Sequence, residues 1–592
     1  MDKKIKKQGI LNIIRIKLGD MCSKPTIILA IIGFIIPIYV RGIVMYQSNI
    51  ERQVYRIFTS PTNIDVFGLS KARLLIALTI LLGIHLLWLL LKDKIKLRLS
   101  WNFLFILLFV LSIGVSICTS EFKDISLIGF SDRYEGVLVY LNYIILIIIT
   151  YILAKKIKDV ELILKGILLS VVPILIYSIF RLNGVDLILS KATQGFMFDL
   201  NSNEYYGQIE QFLSKYRANR SAGFKFISGT LFNPNYLGVY SVVVFYIGTG
   251  FYCFKEKLKV KGLYLLLTLI SFFLLILSGS KSGLYILICM FILYFFLEMF
   301  RTKGRALITL MTLVMTCIFI FITMNVITQG KIYNKFFEVS KENFSVQTDN
   351  EELNNKVVSI DIKETETIIT DKVSQITIIN DNGVPKVKSE DIFNKYKQWE
   401  VDFNENILII RHYGNRAYFG VLQDGRIGVY GPVGLIDYVP KPKELLINGH
   451  LFTSRGIIWS NTIELIGKRP WTGYGADTYT IYQPYDEVVN RMNYSGSTTK
   501  LSINPHNMYL LLAYNFGVPG LLFFIIFVGS ILIKGIIIYI KNKEKRHYIQ
   551  LVMIPLIVFL AMGLINDTIV GIGVILYILI GIANVSIYKI LK

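Results

Sequence analysis

The run LLIALTILLGIHLLWLLL (74–91) is uncharged and long enough to cross the hydrocarbon core of a bilayer as a helix. Comparable apolar stretches recur near 25–45, 101–119, 136–154, 160–181, 233–254, 262–279, 283–300, 305–327, 513–540, 548–566 and 568–590. Inside a bilayer each backbone N–H and C=O must find its partner within the protein. The pattern therefore predicts an all-α polytopic membrane protein with about twelve transmembrane helices.

The connectors set the orientation. KDKIKLR (92–98), KKIKD (155–159), KEKLKVK (255–261), RTKGR (301–305) and KNKEKR (541–546) are basic, and the connectors between them are not. If both termini are cytoplasmic, every basic connector falls inside. The net charge of +22 is then read as positive-inside loops beside anionic lipid, and no nucleic-acid partner is implied. The basic N-terminus leads into an apolar run that ends in PIYVRGIVMY without a small-residue cleavage site, so an uncleaved first span is expected. Five scattered cysteines, Cys22, Cys118, Cys253, Cys289 and Cys317, show no metal-ligand spacing and no disulfide framework.

Three regions follow: an N-terminal transmembrane domain at 1–327 with about nine helices, a long extracytoplasmic loop at 328–512, and C-terminal transmembrane helices at 513–592. Roughly half of the acidic residues lie in the long loop, whose charge is near balance, as suits a watery location. Its part at 340–447 is predicted to be a β-rich insertion, with hairpin signals at Asp381-Asn382-Gly383, Tyr413-Gly414-Asn415 and Asp424-Gly425. From Ser454 the pattern becomes helical. Ser454 is a candidate N-cap and Pro470 a stop, and Arg455, Trp459 and Thr462 share one helix face. The segment 454–507 is the expected catalytic stretch.

The positive-inside rule depletes the outer rim of basic residues, so those placed there are informative. Arg217 and Arg220 precede GTLFNPNYLGVY, Arg133 lies in GFSDRYEG, Lys281 lies in SGSKSG, and Arg455 and His506 flank the segment 454–507. Singly each reads as a solvated charge. Six at helix mouths on one face suggest an anion site, since guanidinium groups bind phosphate bidentately and stay charged. A histidine in a Pro-His-Asn turn beside them is a candidate general base, because imidazole ordinarily titrates near neutrality. His85, His412, His450 and His547 are worse placed: within a span, in or beside the β-rich part, or on the cytoplasmic side.

These stretches resemble the O-antigen ligase and polymerase family of bacterial membrane glycosyltransferases. The resemblance rests on R-x-x-G…NPN-x-L-G (Arg220, Gly223, Asn233, Pro234, Asn235, Leu237, Gly238) and on SGSKSG. It continues in R-x-x-x-W…P-x-x-G-x-G (Arg455, Trp459, Pro470, Gly473, Gly475) and in PHN-x-Y-L followed by G-x-x-G (Pro505, His506, Asn507, Tyr509, Leu510, Gly517, Gly520). It spans roughly 120–330 and 450–540 and leaves the β-rich part out. Lys281 stands where the family commonly has Arg.

The resemblance implies a GT-C-like fold of the lipid-linked glycosyltransferase type in the bacterial cytoplasmic membrane. The donor would be an undecaprenyl-diphosphate-linked glycan, and the acceptor a glycan, lipid, wall polymer or protein. Neither a cofactor nor a metal is implied. Arg220 and Arg455 would hold the pyrophosphate, with Arg217, Lys281 and Arg133 as further donor ligands. His506 would activate the acceptor hydroxyl for an inverting displacement, and Asn233, Asn235, Trp459 and Asn507 would support the site. The alternative class is a transporter, such as a flippase for lipid-linked oligosaccharides, which calls for ionisable residues or broken helices near the bilayer midplane. The spans are almost free of charge, and the polar residues gather at the outer rim.

Overall fold

A computed structural model of the protein describes residues 25–46, 62–92, 97–187, 194–198, 209, 226–254, 258–299, 305–337, 356–388, 399–404 and 406–591. Arg217, Arg220 and Gly223 lie outside the described residues. The helices of the N-terminal half are α1 (Thr26–Ile38), α2 (Leu69–Leu91), α3 (Phe103–Thr119), α4 (Lys123–Ile128), α5 (Val137–Leu153), α6 (Ile157–Leu169) and α7 (Val171–Leu182). They continue as α8 (Pro234–Phe254), α9 (Leu258–Ser278), α10 (Lys281–Met299), α11 (Arg305–Ile327) and α12 (Lys331–Phe337). After the β-rich part come α13 (Leu451–Lys468), α14 (Tyr479–Tyr482), α15 (Val488–Ser495), α16 (Met508–Lys541), α17 (Arg546–Met562) and α18 (Val570–Val585).

Among the described residues, nine helices are long and apolar enough to cross a membrane. Three shorter apolar helices, Thr26–Ile38, Phe103–Thr119 and Val137–Leu153, occupy the remaining expected spans. Each of the twelve apolar stretches therefore contains a helix, and the protein is a multi-pass membrane protein by length and composition. The spans differ in how far they are enclosed. Val570–Ile590 is buried along its whole apolar window, whereas only 17% of the window of Ile308–Ile327 is buried. A helix apolar on all sides belongs in the core or against lipid; here α18 is the core and α11 the lipid-facing rim.

Helix ends are set by local chemistry. Asn233 precedes Pro234 at the first turn of α8, and its side chain accepts the Asn235 N–H at 2.9 Å. Asn507 caps α16 through Tyr509 N and Leu510 N, both at 3.0 Å. In α13 the sequence expectation fails at the start and holds at the end. The helix begins at Leu451, so Ser454 lies within its first turn, with a positive φ of 66°, and does not cap it. It ends at Lys468, just before Pro470.

The β-rich part forms two antiparallel meanders. One has the order β3-β4-β5-β6 (Val357–Ile362, Glu366–Asp371, Gln375–Asp381, Val384–Val387). The other runs β7 (Trp399–Asn404), β8 (Ile407–His412), β9 (Asn415–Val421), β10 (Ile427–Gly431) and β11 (Gly434–Ile436). A small hairpin, β1 (Ile43–Tyr46) with β2 (Thr62–Asp65), lies elsewhere. The three hairpin signals read from the sequence all fall between paired strands. Alternate residues of the two meanders share one core, including Ile369, Ile376, Ile378, Leu408, Ile410 and Phe419. That core also takes in Val488, Val489 and Met492 of α15. The Asn493 side chain pairs with both polar groups of Val357, accepting from N at 2.9 Å and donating to O at 2.8 Å. The module is thus built onto the segment that leads to His506.

Candidate active site

Two breaks in regular structure shape the site. The helix α16 is interrupted at Gly517, with φ 74° and ψ 169°, two residues before Pro519. The segment after Pro470 runs along the interruption. Tyr474 N donates to Tyr514 O at 2.9 Å, Gly475 N to Asn515 O at 3.1 Å, and Val518 N to Pro470 O at 2.7 Å. The backbones come so close that a Cβ on Gly473 would sit 2.5 Å from Asn515 O, and one on Gly517 2.5 Å from Trp471 O. The two glycine motifs in the sequence are therefore one contact, made from both sides.

The site gathers on the turn Asn566-Asp567 between α17 and α18. Arg455 Nη2 donates to Asn566 Oδ1 at 3.4 Å, and Asn566 Nδ2 donates to Ser282 Oγ at 3.2 Å. Asn566 thus links Ser282, at the start of α10, to Arg455. Asp567 is fully enclosed: Oδ1 accepts from Tyr236 Oη at 3.0 Å and faces His506 Nδ1 at 3.8 Å. Asn504 Nδ2 donates to Tyr236 Oη at 3.2 Å, and Asn504 Oδ1 accepts His506 N at 3.2 Å. Trp459 Nε1 donates to Pro505 O at 3.0 Å, so one face of α13 holds both Arg455 and the turn that carries His506. His506 itself has a positive φ of 50°, and its side chain is about one-third exposed.

Arg133 lies behind this pocket, with a side chain only 2% exposed. It reaches Glu135 at 3.0 Å, Asp477 at 2.6 Å and Asp567 at 2.6 Å. The expectation that it faces the donor is amended accordingly: its fork is taken by three carboxylates. A buried cation surrounded this way is kept by its partners, and removing one leaves the others uncompensated. Asp477 also accepts from Phe130 N and Glu135 N, and Glu135 from Tyr143 Oη and Thr568 Oγ1.

The charges follow from these contacts. Burial pushes the Asp567 carboxyl up, but Arg133 and His506 outweigh it and hold it below the usual carboxylate range. Burial pushes Glu135 up to about 7, against the pull of Arg133 and of the Tyr143 hydroxyl. Burial also lowers Arg455, while Asp567 and Tyr236 act the other way.

The structure thus brings together Arg455, His506, Trp459 and the Lys281 turn. It gives Asn233 and Asn507 capping roles, with Asn235 completing the first of them. Sequence reasoning missed Asn566, Asp567, Tyr236, Glu135 and Asp477. The available signal was a polar Asn-Asp-Thr turn between two apolar runs, and an Asp directly after G-x-G-A.

The fold and site together define a multi-pass membrane protein with cationic, imidazole and carboxylate groups gathered at one end of its helix bundle. Residues 447–525 match the family model for O-antigen ligase. The match includes Arg455 and His506 and leaves out the two meanders. No curated protein matches the sequence.

Proposed function

We propose that the protein transfers or polymerises glycan from an undecaprenyl-diphosphate-linked donor at the outer face of the cytoplasmic membrane, with inversion and without a metal. The observation that carries this is the convergence of Arg455 and His506 on Asn566-Asp567, within the matched domain. All twelve apolar helices cross the membrane in this reading. Both termini are cytoplasmic and residues 328–512 are outside.

Arg455, the Lys281 turn and Arg220 meet the diphosphate, which is both the bound anion and the leaving group. Fixed cations stabilise the charge that develops on it as the bond to the anomeric carbon breaks. Asp567 faces Nδ1 of His506, which leaves Nε2 to take the acceptor proton. The acceptor oxygen then forms the new bond on the opposite face of the sugar. Asp567 orients the imidazole and offsets its charge once protonated. Arg133 keeps Asp567 ionised while remaining away from substrate.

The test is incubation of purified protein with a lipid-diphosphate glycan in EDTA, with products separated by length. A ladder or an acceptor conjugate is expected. No transfer until magnesium or manganese is added would place the chemistry in another class.

A further inference from the structure

A cavity of about 340 Å³ lies among the spans, walled by α8, α9, α10, α11 and Phe337 of α12. All of its lining residues are apolar. One wall descends α10 directly beneath the site. Leu284, Leu287, Ile288 and Phe291 are three, six, seven and ten residues past Lys281, so they form one face below it. The cavity opens sideways to lipid, since Ile288 is 44% exposed. Ser282, in the turn of the same helix just above that wall, accepts from Asn566 beside Arg455.

We infer that this cavity holds the hydrocarbon end of the donor: the first isoprene units of a polyprenyl chain whose diphosphate lies between Lys281 and Arg455. The inference rests on the donor class proposed above. Two features favour this occupant over a glycerophospholipid. A phospholipid has ester carbonyls just below its phosphate, and these need polar partners that the wall from Leu284 downward lacks. A polyprenyl diphosphate is hydrocarbon from its first carbon. The volume is at the small end for ligand pockets, which suits the start of a long tail whose remainder passes through the side opening into the bilayer.

Two variants test this. Ile288→Trp fills the opening. It should raise KM at least tenfold for a long-chain donor and leave kcat/KM unchanged for a donor of two isoprene units. Equal losses for both donors, or no loss for either, would overturn the assignment. Ile288→Cys in a cysteine-free background tests binding without catalysis. Sugar-free polyprenyl diphosphate should slow its alkylation by a membrane-permeant maleimide at least tenfold, whereas inorganic diphosphate and phosphatidylglycerol should not. Equal protection by phosphatidylglycerol would make the cavity a general lipid site. Protection by polyprenyl diphosphate with no transfer from any donor would sink the enzymatic reading and leave the cavity assignment standing.

Discussion

Arg455, His506 and Asp567 meet at one turn yet should fail differently when replaced. In the proposed reaction Arg455→Ala removes a charged contact to the diphosphate, so donor binding should weaken by about 1.5–3 kcal/mol, with Lys rescuing only partly because the fork is lost. His506→Ala should leave donor binding intact and slow the bound-state step by roughly 10²–10⁴-fold. Asp567→Asn should slow the same step less, since it misorients the imidazole without removing it. It also strips Arg133 of a partner, so its melting temperature should fall while that of His506→Ala does not. Donor affinity, single-turnover rate and thermal stability of the three variants decide the matter. Equal loss of donor binding in His506→Ala and Arg455→Ala would make His506 a binding residue. Arg455 and His506 were legible in the sequence because isolated basic residues are conspicuous at an apolar rim. Asp567 was not, because its turn is so short that two apolar runs nearly touch across it.

The meanders show the same limit among larger pieces. Alternation and turn residues reveal strands and hairpins, but not that α15 completes their core, since Val488, Val489 and Met492 look like any short apolar patch. Asn493→Ala should unpair both polar groups of Val357, at about 1–3 kcal/mol for each one left unsatisfied. Amide exchange across β3 should quicken at least tenfold; unchanged protection would mean that Asn493 does not clamp the module. The second strands of the two meanders end in Asp371 and His412, which meet at 3.0 Å, both side chains fully buried, under Trp399. Burial lowers the His412 pKa below 6.5, despite Asp371. Burial alone would raise Asp371, but the Val373 and Ser374 N–H groups and His412 bring it below 3.8. The signs agree. The unfolded chain takes up a proton at His412 as pH falls below 6.5 and at Asp371 below 3.8, before the folded module does in either case. The module should therefore lose stability in acid. His412→Gln should abolish the loss that begins near pH 6.5, read by exchange rates corrected for intrinsic chemistry. A wild-type module equally stable at pH 7.5 and 5 would contradict this.

At the scale of the whole molecule, connector charges and helix ends agree. Residues 133–135, 233–236, 281–282, 506–507 and 566–568 all lie at one end of the bundle, as the starts or ends of its helices require. The basic connectors 155–159 and 541–546 lie at the other end, where Lys589 donates to the carbonyls of Tyr151, Ile152 and Ala154, and Lys545 to that of Leu591. In a cysteine-free background, Lys372→Cys should react with an impermeant thiol reagent in intact cells, and Lys543→Cys only after lysis. The reverse result would turn the proposed orientation over. Sequence periodicity located the spans, but it could not rank them by depth, because lipid and a helical core ask for the same apolar residues. That ranking has a consequence for the chemistry. Asp567 stands at the head of α18, the span enclosed along its whole apolar window, with other helices between it and the acyl chains. A thinner or stiffer bilayer acts first on peripheral helices such as α11. The carboxylate is mounted on the axle of the assembly, and a change in the membrane's mechanics must move the hub before it reaches the reaction.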